Sequence, residues 1–366
     1  MKNIRIALIG PLPPPSGGMA KQLMQLSALL TKENYIDVKI VQVNSPYYPQ
    51  WIKNVKIIRS LFRLYEYIVK LKRITREVDI FHIFANSGWS WYLFTVPAVW
   101  IGRTAKLSVI VNYHGGEAKS FFKKSFKFIR PTLTKATKIL VPSLYLKEIF
   151  TEYGFTAEIF PNIIDLEKFS NSETVNKNLE SPVLLVSRNL EPIYDIATAI
   201  KAFVIVLKKY PEARLIIAGS GPEKEKLEQK VKILNVANKV EFTGRLDNEK
   251  MPALYQNATV MINPSLVDNM PISILEAFAS HVPVVSTNIG GVPYLITNNK
   301  TGLLVPVDNP TEMAEKILQL LENPAFAESI TKHAYQYVKK YTWPNVKKHL
   351  LNIYQGIAPQ SKTIVE

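Results

Sequence analysis

Short apolar runs alternate with stretches of helical period along the whole chain, a pattern that predicts repeated strand–helix units and parallel sheets. In the first half the predicted strands are Ile4–Gly10, Val38–Val43, Asp79–Ala85, Leu107–Gly115, Lys138–Ser143 and Ala157–Asn162. In the second half they are Pro182–Arg188, Ala213–Gly219, Val240–Arg245, Ala258–Ser265, Val282–Thr287 and Thr301–Pro306. Between the two sets, "DLEKFSNSETVNKNLESP" is polar and without period, which reads as a linker. The expected architecture is therefore α/β, with two doubly wound domains of similar size facing a cleft. The first covers residues 1–170 and the second 181–340. In such sheets ligands sit beyond the carboxyl ends of the strands, so the residues that follow each strand carry the candidate chemistry. The most apolar window, Trp89 to Val111, is broken by Pro97, Arg103 and Lys106. It reads as a buried helix and a strand rather than a membrane span of about 20 residues.

Composition narrows the classes. The chain has 366 residues, 47% of them hydrophobic and 20% charged, enough for two cores. It has no cysteine, which excludes disulfides, thiolate metal sites and cysteine nucleophiles. The five histidines show no metal-ligand spacing. The N-terminal apolar stretch is too short for a signal peptide and runs at once into prolines, so a cytoplasmic location is expected. The formal charge of +15 is uneven: residues 1–170 hold 24 Lys/Arg against 11 Asp/Glu, and the rest hold 21 against 19. That asymmetry points to an anionic surface or substrate for the first half.

Several strand ends stand out. "GPLPPPSGGMAKQL" lacks the G-x-G-x-x-G spacing of a dinucleotide fold, but Gly17 and Gly18 open a helix where backbone N–H groups can meet a phosphate; a tight turn that needs glycine is the alternative. His114 ends the fourth strand beside Gly115 and Gly116, in a position suited to a cleft as much as to a structural role. Arg188 ends the first strand of the second half and suits a diphosphate. Gly219 and Gly221 flank Ser220 after the next strand, either for close approach of a ligand or for an ordinary turn. In "SLVDNMPISILEAFASHVPVV", Asp268 lies in a loop, Pro271 suits a first helical turn, and Glu276 follows about one and a half turns later. The free N–H groups of Ile272 and Ser273 favour a phosphate, while the two acids suit vicinal hydroxyls; Asp268 could also be a plain N-cap.

Taken together, these segments resemble glycosyltransferase family 4, retaining enzymes of GT-B fold, over nearly the whole chain. "PNIID", "LIIAGSGPEKEKL", "VEFTGRL", the acid pair, "NIGGVPYLI" and "NKTGLLVPVDNP" match the family's motifs in order and spacing. The resemblance implies that Asp268 holds the donor sugar's hydroxyls and Glu276 the nucleotide's ribose. It implies that Ile272, Ser273, Gly18 and Arg188 bind the diphosphate, that His114 sits beside the transferred sugar, and that Gly219, Gly221 and Leu246 neighbour the base. Gly17, Asn269 and Met270 complete the donor-binding set. The catalytic set is His114, Asp268 and Arg188. The donor would be a UDP- or GDP-linked sugar and the reaction would retain configuration. No metal or other cofactor is expected, because Arg188 and helix N-termini stabilise the leaving diphosphate. The C-terminal stretch 341–366 would form a helix that crosses back to the first domain.

The chain departs from that pattern at three places. Tyr194 stands where the family usually has a lysine that partners the arginine on the diphosphate; Asp268 replaces a glutamate; and Tyr294 replaces the glutamate of the GGxPE motif. Arg245 or Tyr194 itself could compensate for the missing lysine. Two other readings follow: a sugar-nucleotide-binding protein with weakened catalysis, and a GT-B nucleotide-sugar epimerase.

Two basic stretches, Trp51–Arg76 and Lys119–Lys138, mix Lys and Arg with aromatic and aliphatic residues at helical spacing. They read as interfacial helices on anionic lipid, each basic residue contributing about 1 kcal/mol near such a surface. An ordinary solvated face over a core stripe is the alternative. The expected partners are a nucleotide-sugar donor, a lipid-linked or saccharide acceptor and the inner face of an anionic membrane. Nucleic acid is not expected, since no recognition motif accompanies the charge.

Overall fold

A computed structural model of the protein describes residues 3–14, 17–44, 56–170 (side chains from 62) and 179–358. The chain divides into two compact units, one of Met1–Ile163 with Val346–Glu366, the other of Ile164–Asn345. Each is built on a six-stranded parallel sheet.

In the first unit the strands are β1 (Ile4–Gly10), β2 (Ile36–Gln42), β3 (Ile80–Ala85), β4 (Ser108–Tyr113), β5 (Lys138–Val141) and β6 (Glu158–Ile159), in the order β2-β1-β3-β4-β5-β6. Every residue of β3 is buried. Strands covered on both faces read as continuous apolar runs rather than as alternation. One face packs Phe81, Val109, Val111 and Tyr113 under Phe122 and Phe150. The opposite face carries His82, Asn112 and His114, a polar row that no alternation rule would place in a sheet interior. The window after β3 forms a π-helical turn, Trp91–Thr95, that runs into the helix Val96–Thr104 before β4.

The second unit holds β7 (Val183–Ser187), β8 (Arg214–Ala218), β9 (Val240–Gly244), β10 (Val260–Asn263), β11 (Val284–Thr287) and β12 (Leu303–Val305), in the order β12-β11-β10-β7-β8-β9. β7 and β10 pair directly, Leu184 opposite Val260. Their carboxyl ends, where Arg188 and the loop to Asp268 begin, therefore lie side by side.

Three expectations change in detail. The strand expected over Ala157–Asn162 shrinks to Glu158–Ile159: Phe160 donates one more backbone bond to Val141 at 2.8 Å, and Pro161 then has no N–H to give. The last strand is Leu303–Val305, closed by Pro306. The expected linker begins with a helix, Leu166–Ser170, because the Asp165 carboxylate accepts the Lys168 N–H at 3.1 Å and Phe169 is buried. Residues 171–178 of that linker, 51–55 of the first basic stretch and 359–366 of the C-terminus lie outside the described residues.

The helix Ala118–Leu133 answers the question left by its composition. Phe121 and Phe122 are buried, and Phe126 packs 4.7 Å from Tyr153, while Phe128 is 71% exposed. The 3.6-residue period turns most of its phenylalanines into a core stripe and leaves Lys119, Lys123, Lys124, Lys127 and Arg130 outside. The C-terminal helix Trp343–Ile357 lies on the first unit from Val346 onward: Tyr354 Oη meets His82 Nδ1 at 2.7 Å, and Lys347 pairs with Glu33 at 2.8 Å. Among the described residues no helix is long and apolar enough to cross a membrane.

Candidate functional site

In the second unit the candidate residues gather at the carboxyl ends of β7 and β10. Arg188 Nη2 meets Asp268 Oδ2 at 2.7 Å, with the two side chains 11% and 8% exposed. Asp268 is further held by Asn263 Nδ2 on Oδ2 at 3.5 Å and by the Asn269 N–H on Oδ1 at 3.0 Å. Asn263 is fixed in turn by Ser265 and Ser286, each at 3.0 Å. The Arg188 guanidinium carbon lies over the Tyr194 ring, 4.0 Å from its centre. Its Nε is buried and has no hydrogen-bond partner among the described residues, a costly state for a donor on a charged group.

Next to Asp268 along the chain, the helix Ile272–Ala279 starts with Pro271 as its cap residue and no side-chain cap. The first N–H groups of a helix have no partner within it, and here the hydroxyl of Ser273, a residue 6% exposed, has none among the described residues. Glu276, one turn on and 6% exposed, accepts the Tyr255 hydroxyl at 2.8 Å. Burial beside this carboxylate pushes the Tyr255 phenol well above its usual range, so it stays a donor. Asn269 and Met270 are buried, and Leu246 is half-buried.

Glycines shape this region, chiefly for the benefit of the chain's own backbone. A Cβ at Gly219 would stand 1.9 Å from the Arg188 carbonyl, and one at Gly221 2.3 Å from that of Leu190. The loops after β7 and β8 can therefore run against each other, zipped by Arg188 N–H to Ala218 O and Leu190 N–H to Ser220 O. The pair in "NIGGVPYLI" does the same for the acid loop. Gly290 has φ +56°, and a Cβ at Gly291 would fall 1.9 Å from the Asn269 carbonyl. The Gly291 N–H binds Asp268 O at 3.0 Å. Tyr294 is exposed; its N–H binds Gly291 O at 3.2 Å and its carbonyl accepts the Tyr337 hydroxyl at 3.0 Å. Arg245 is exposed.

In the first unit His114 follows β4, its N–H bound to Ala85 O at 2.8 Å and its ring stacked on Phe84 at 5.3 Å. Its Nε2 is buried and has no partner among the described residues, and burial lowers the ring's pKa to about 4. His82 stacks on Phe84 as well, at 5.2 Å, and burial, then His114, lower its pKa to about 3. Both rings are therefore neutral near pH 7. His82 Nε2 lies 3.0 Å from Asn112 Nδ2. With that amide nitrogen assigned as the donor, Nδ1 carries the ring proton and gives it to Tyr354 Oη. Asn112 and His114 line a small pocket of about 10 Å³ together with Gln22, Phe84 and Asn162. Gln22 closes one side by binding Ile163 through both its amide groups, at 2.9 and 2.7 Å. Gly17 caps the helix Gly18–Thr31 with extended backbone, and a Cβ there would meet nothing within 4 Å among the described residues.

In the second unit Arg188 meets Asp268 directly, and Ser273 and Glu276 lie on the helix that follows; in the first, His114 shares a pocket with Gln22 and Leu26 of the helix Gly18–Thr31. Sequence reasoning missed Asn263, Tyr255, His82, Asn112, Gln22 and Tyr354. The one available signal was a polar residue inside an apolar strand, as in "IFHIFA" and "SVIVNY". Among the described residues no cluster of three or more His, Asp or Glu side chains is placed to hold a metal.

Comparison with known proteins bears on the fold and the family. The structure of Anabaena Alr3699/HepE in complex with UDP-glucose superposes with a TM-score of 0.76 at 16% identity, over 96% of this chain and 99% of that one. The protein thus has a two-domain GT-B fold. Residues 16–168 match the family model "Glycosyltransferase Family 4" and residues 167–337 match "Glycosyl transferases group 1". The chain belongs to this glycosyltransferase family. An uncharacterized glycosyltransferase of Methanocaldococcus jannaschii is 30% identical over 190 residues, 52% of this chain and 48% of the relative. The matched region therefore spans about half that relative's length. A phosphatidyl-myo-inositol mannosyltransferase of Mycobacterium leprae is 22% identical over 272 residues, 73% of this chain and 72% of the relative.

Proposed function

We propose that the protein moves a hexose from a UDP- or GDP-linked donor to a lipid-linked or polysaccharide-precursor acceptor, with retention of configuration and without a metal. The observation that carries this reading is the set of unpartnered donors in the second unit. The buried Arg188 Nε, the Ser273 hydroxyl and the open N-terminus of Ile272–Ala279 all await an acceptor. A diphosphate satisfies all three, and its charge suits both the guanidinium and the helix end. Glu276 then accepts from ribose hydroxyls, and Asp268 from those of the sugar. In the transfer, the bond from the anomeric carbon to the diphosphate oxygen breaks and the bond to the acceptor oxygen forms. The acceptor's proton passes to the leaving phosphate. Arg188 and the helix N-terminus stabilise the charge that develops there, the role a metal plays elsewhere.

His114 is neutral and offers its unpartnered Nε2 to a sugar hydroxyl. The acceptor falls to the first unit, which carries the positive charge. Its exposed basic face on Ala118–Leu133, with Phe128 outward, supports peripheral contact with anionic lipid on the inner face of the membrane. The relative acting on phosphatidyl-myo-inositol accords with a lipid acceptor.

The test is product analysis with labelled UDP- and GDP-sugars and a bacterial lipid extract. Label in the lipid phase with free nucleoside diphosphate supports transfer. An epimerised nucleotide sugar supports an epimerase instead. An intact donor that nonetheless binds supports a binding protein, the reading favoured by Tyr194 in the usual lysine's place.

A further inference from the structure

Arg188 is held on two sides. The Asp268 carboxylate takes one edge of its guanidinium at 2.7 Å, and the Tyr194 ring lies 4.0 Å from its carbon. Both supports are themselves anchored. Tyr194 ends a 3₁₀ turn, Pro192–Tyr194, that opens on proline, and its N–H returns to Glu191 O at 3.0 Å. Asp195 follows at φ +39° and accepts the Thr198 hydroxyl at 2.6 Å. The same turn is tied to the acid loop by Leu266 N–H to Ile193 O at 2.8 Å. Ring, arginine and carboxylate therefore form one connected piece.

We propose that Tyr194 is a positioning residue for the diphosphate: its ring fixes the plane of the Arg188 guanidinium so that Nε–H faces the ligand, where related chains use a second cation. A guanidinium stacked on an aromatic face loses rotational freedom while keeping all its N–H donors for in-plane partners. The arrangement also answers a difficulty raised by the ion pair. Asp268 neutralises Arg188 when no ligand is present, and a diphosphate must draw the cation partly away from it. The ring supports the guanidinium in either state, because sliding or turning in its own plane leaves the stacking intact. This inference rests on the donor reading above.

Calorimetric titration of UDP, GDP and ADP into the full chain tests it, with wild type, Tyr194→Phe and Tyr194→Leu compared and the Arg188 Nε–H resonance followed by NMR. Tyr194→Phe keeps the ring and is expected to bind the preferred nucleotide within about twofold of wild type. Tyr194→Leu is expected to bind about tenfold more weakly, with a smaller ligand-induced shift of the Nε–H resonance. A merely structural tyrosine would not give that signature. Tyr194→Leu binding as tightly as wild type, with the same shift, overturns the inference alone. Wild type binding none of the three overturns the donor reading and this inference with it.

Discussion

Replacing Asp268 with asparagine should leave the Arg188 cation buried without its counter-charge. The pair is 11% and 8% exposed and 2.7 Å long, so solvent screens it little. Removing one partner of such a pair typically costs about 3–5 kcal/mol. The asparagine oxygen still accepts one bond from Arg188, which places the expected loss near the lower limit, about 3 kcal/mol. For a domain of this size that is a fall of roughly 6–12 °C in melting temperature. The assay is urea unfolding followed by circular dichroism, with the two units allowed separate transitions. The double variant Arg188→Met with Asp268→Asn removes the stranded cation and should recover part of the loss. An Asp268→Asn protein within about 0.5 kcal/mol of wild type would refute the view that these groups are coupled and desolvated.

Other consequences are equally measurable. Gly291→Ala puts a Cβ 1.9 Å from the Asn269 carbonyl, so the acid loop must move; thermal melting should drop by several degrees and nucleotide titration should show weakened binding. Tyr255→Phe removes the hydroxyl that donates to the buried Glu276 at 2.8 Å and should cost about 0.5–1.5 kcal/mol, or up to about 3 because the acceptor is charged, in the same unfolding assay. His82, buried, and His114, whose Nε2 is buried, make the first unit acid-sensitive. Their folded pKa values, about 3 for His82 and about 4 for His114, lie below the unfolded value of 6.5, so the unfolded chain binds more protons as pH falls. Stability is complete above about pH 6.5 and is lost toward pH 4, at up to about 1.4 kcal/mol per pH unit for each ring; His114→Gln should halve that slope in unfolding midpoints taken from pH 7 to 5. Phe128→Ser should leave stability unchanged, since the ring is 71% exposed, yet weaken co-sedimentation with phosphatidylglycerol vesicles.

The parallel sheets were legible in the sequence because strands buried on both faces are unbroken apolar runs, as in "IRIALIG" and "PVLLVSR". Their ends were less so: the strand at Glu158–Ile159 stops where Pro161 withdraws a donor. At the site, Arg188 drew attention because it follows a strand, and Asp268 and Glu276 because they flank a proline that opens a helix. Their partners could not. Tyr255 reaches Glu276 across 21 positions and Tyr354 reaches His82 across 272, and nothing local marks either tyrosine as polar machinery. The glycines were visible, though the need they serve was not. At Gly219, Gly221, Gly290 and Gly291 the crowding comes from the chain's own carbonyls, a fact of long-range packing.

The central claim is that the second unit holds a nucleotide sugar, with Glu276 on its ribose. A thermal-shift screen of UDP-, GDP- and ADP-sugars on wild type and Glu276→Ala tests it most directly. A donor at about a hundred times its dissociation constant should stabilise the wild type by roughly 2.7 kcal/mol. The account predicts such a shift for one nucleotide and its loss in Glu276→Ala. No shift with any donor, or an equal shift in the variant, would contradict it.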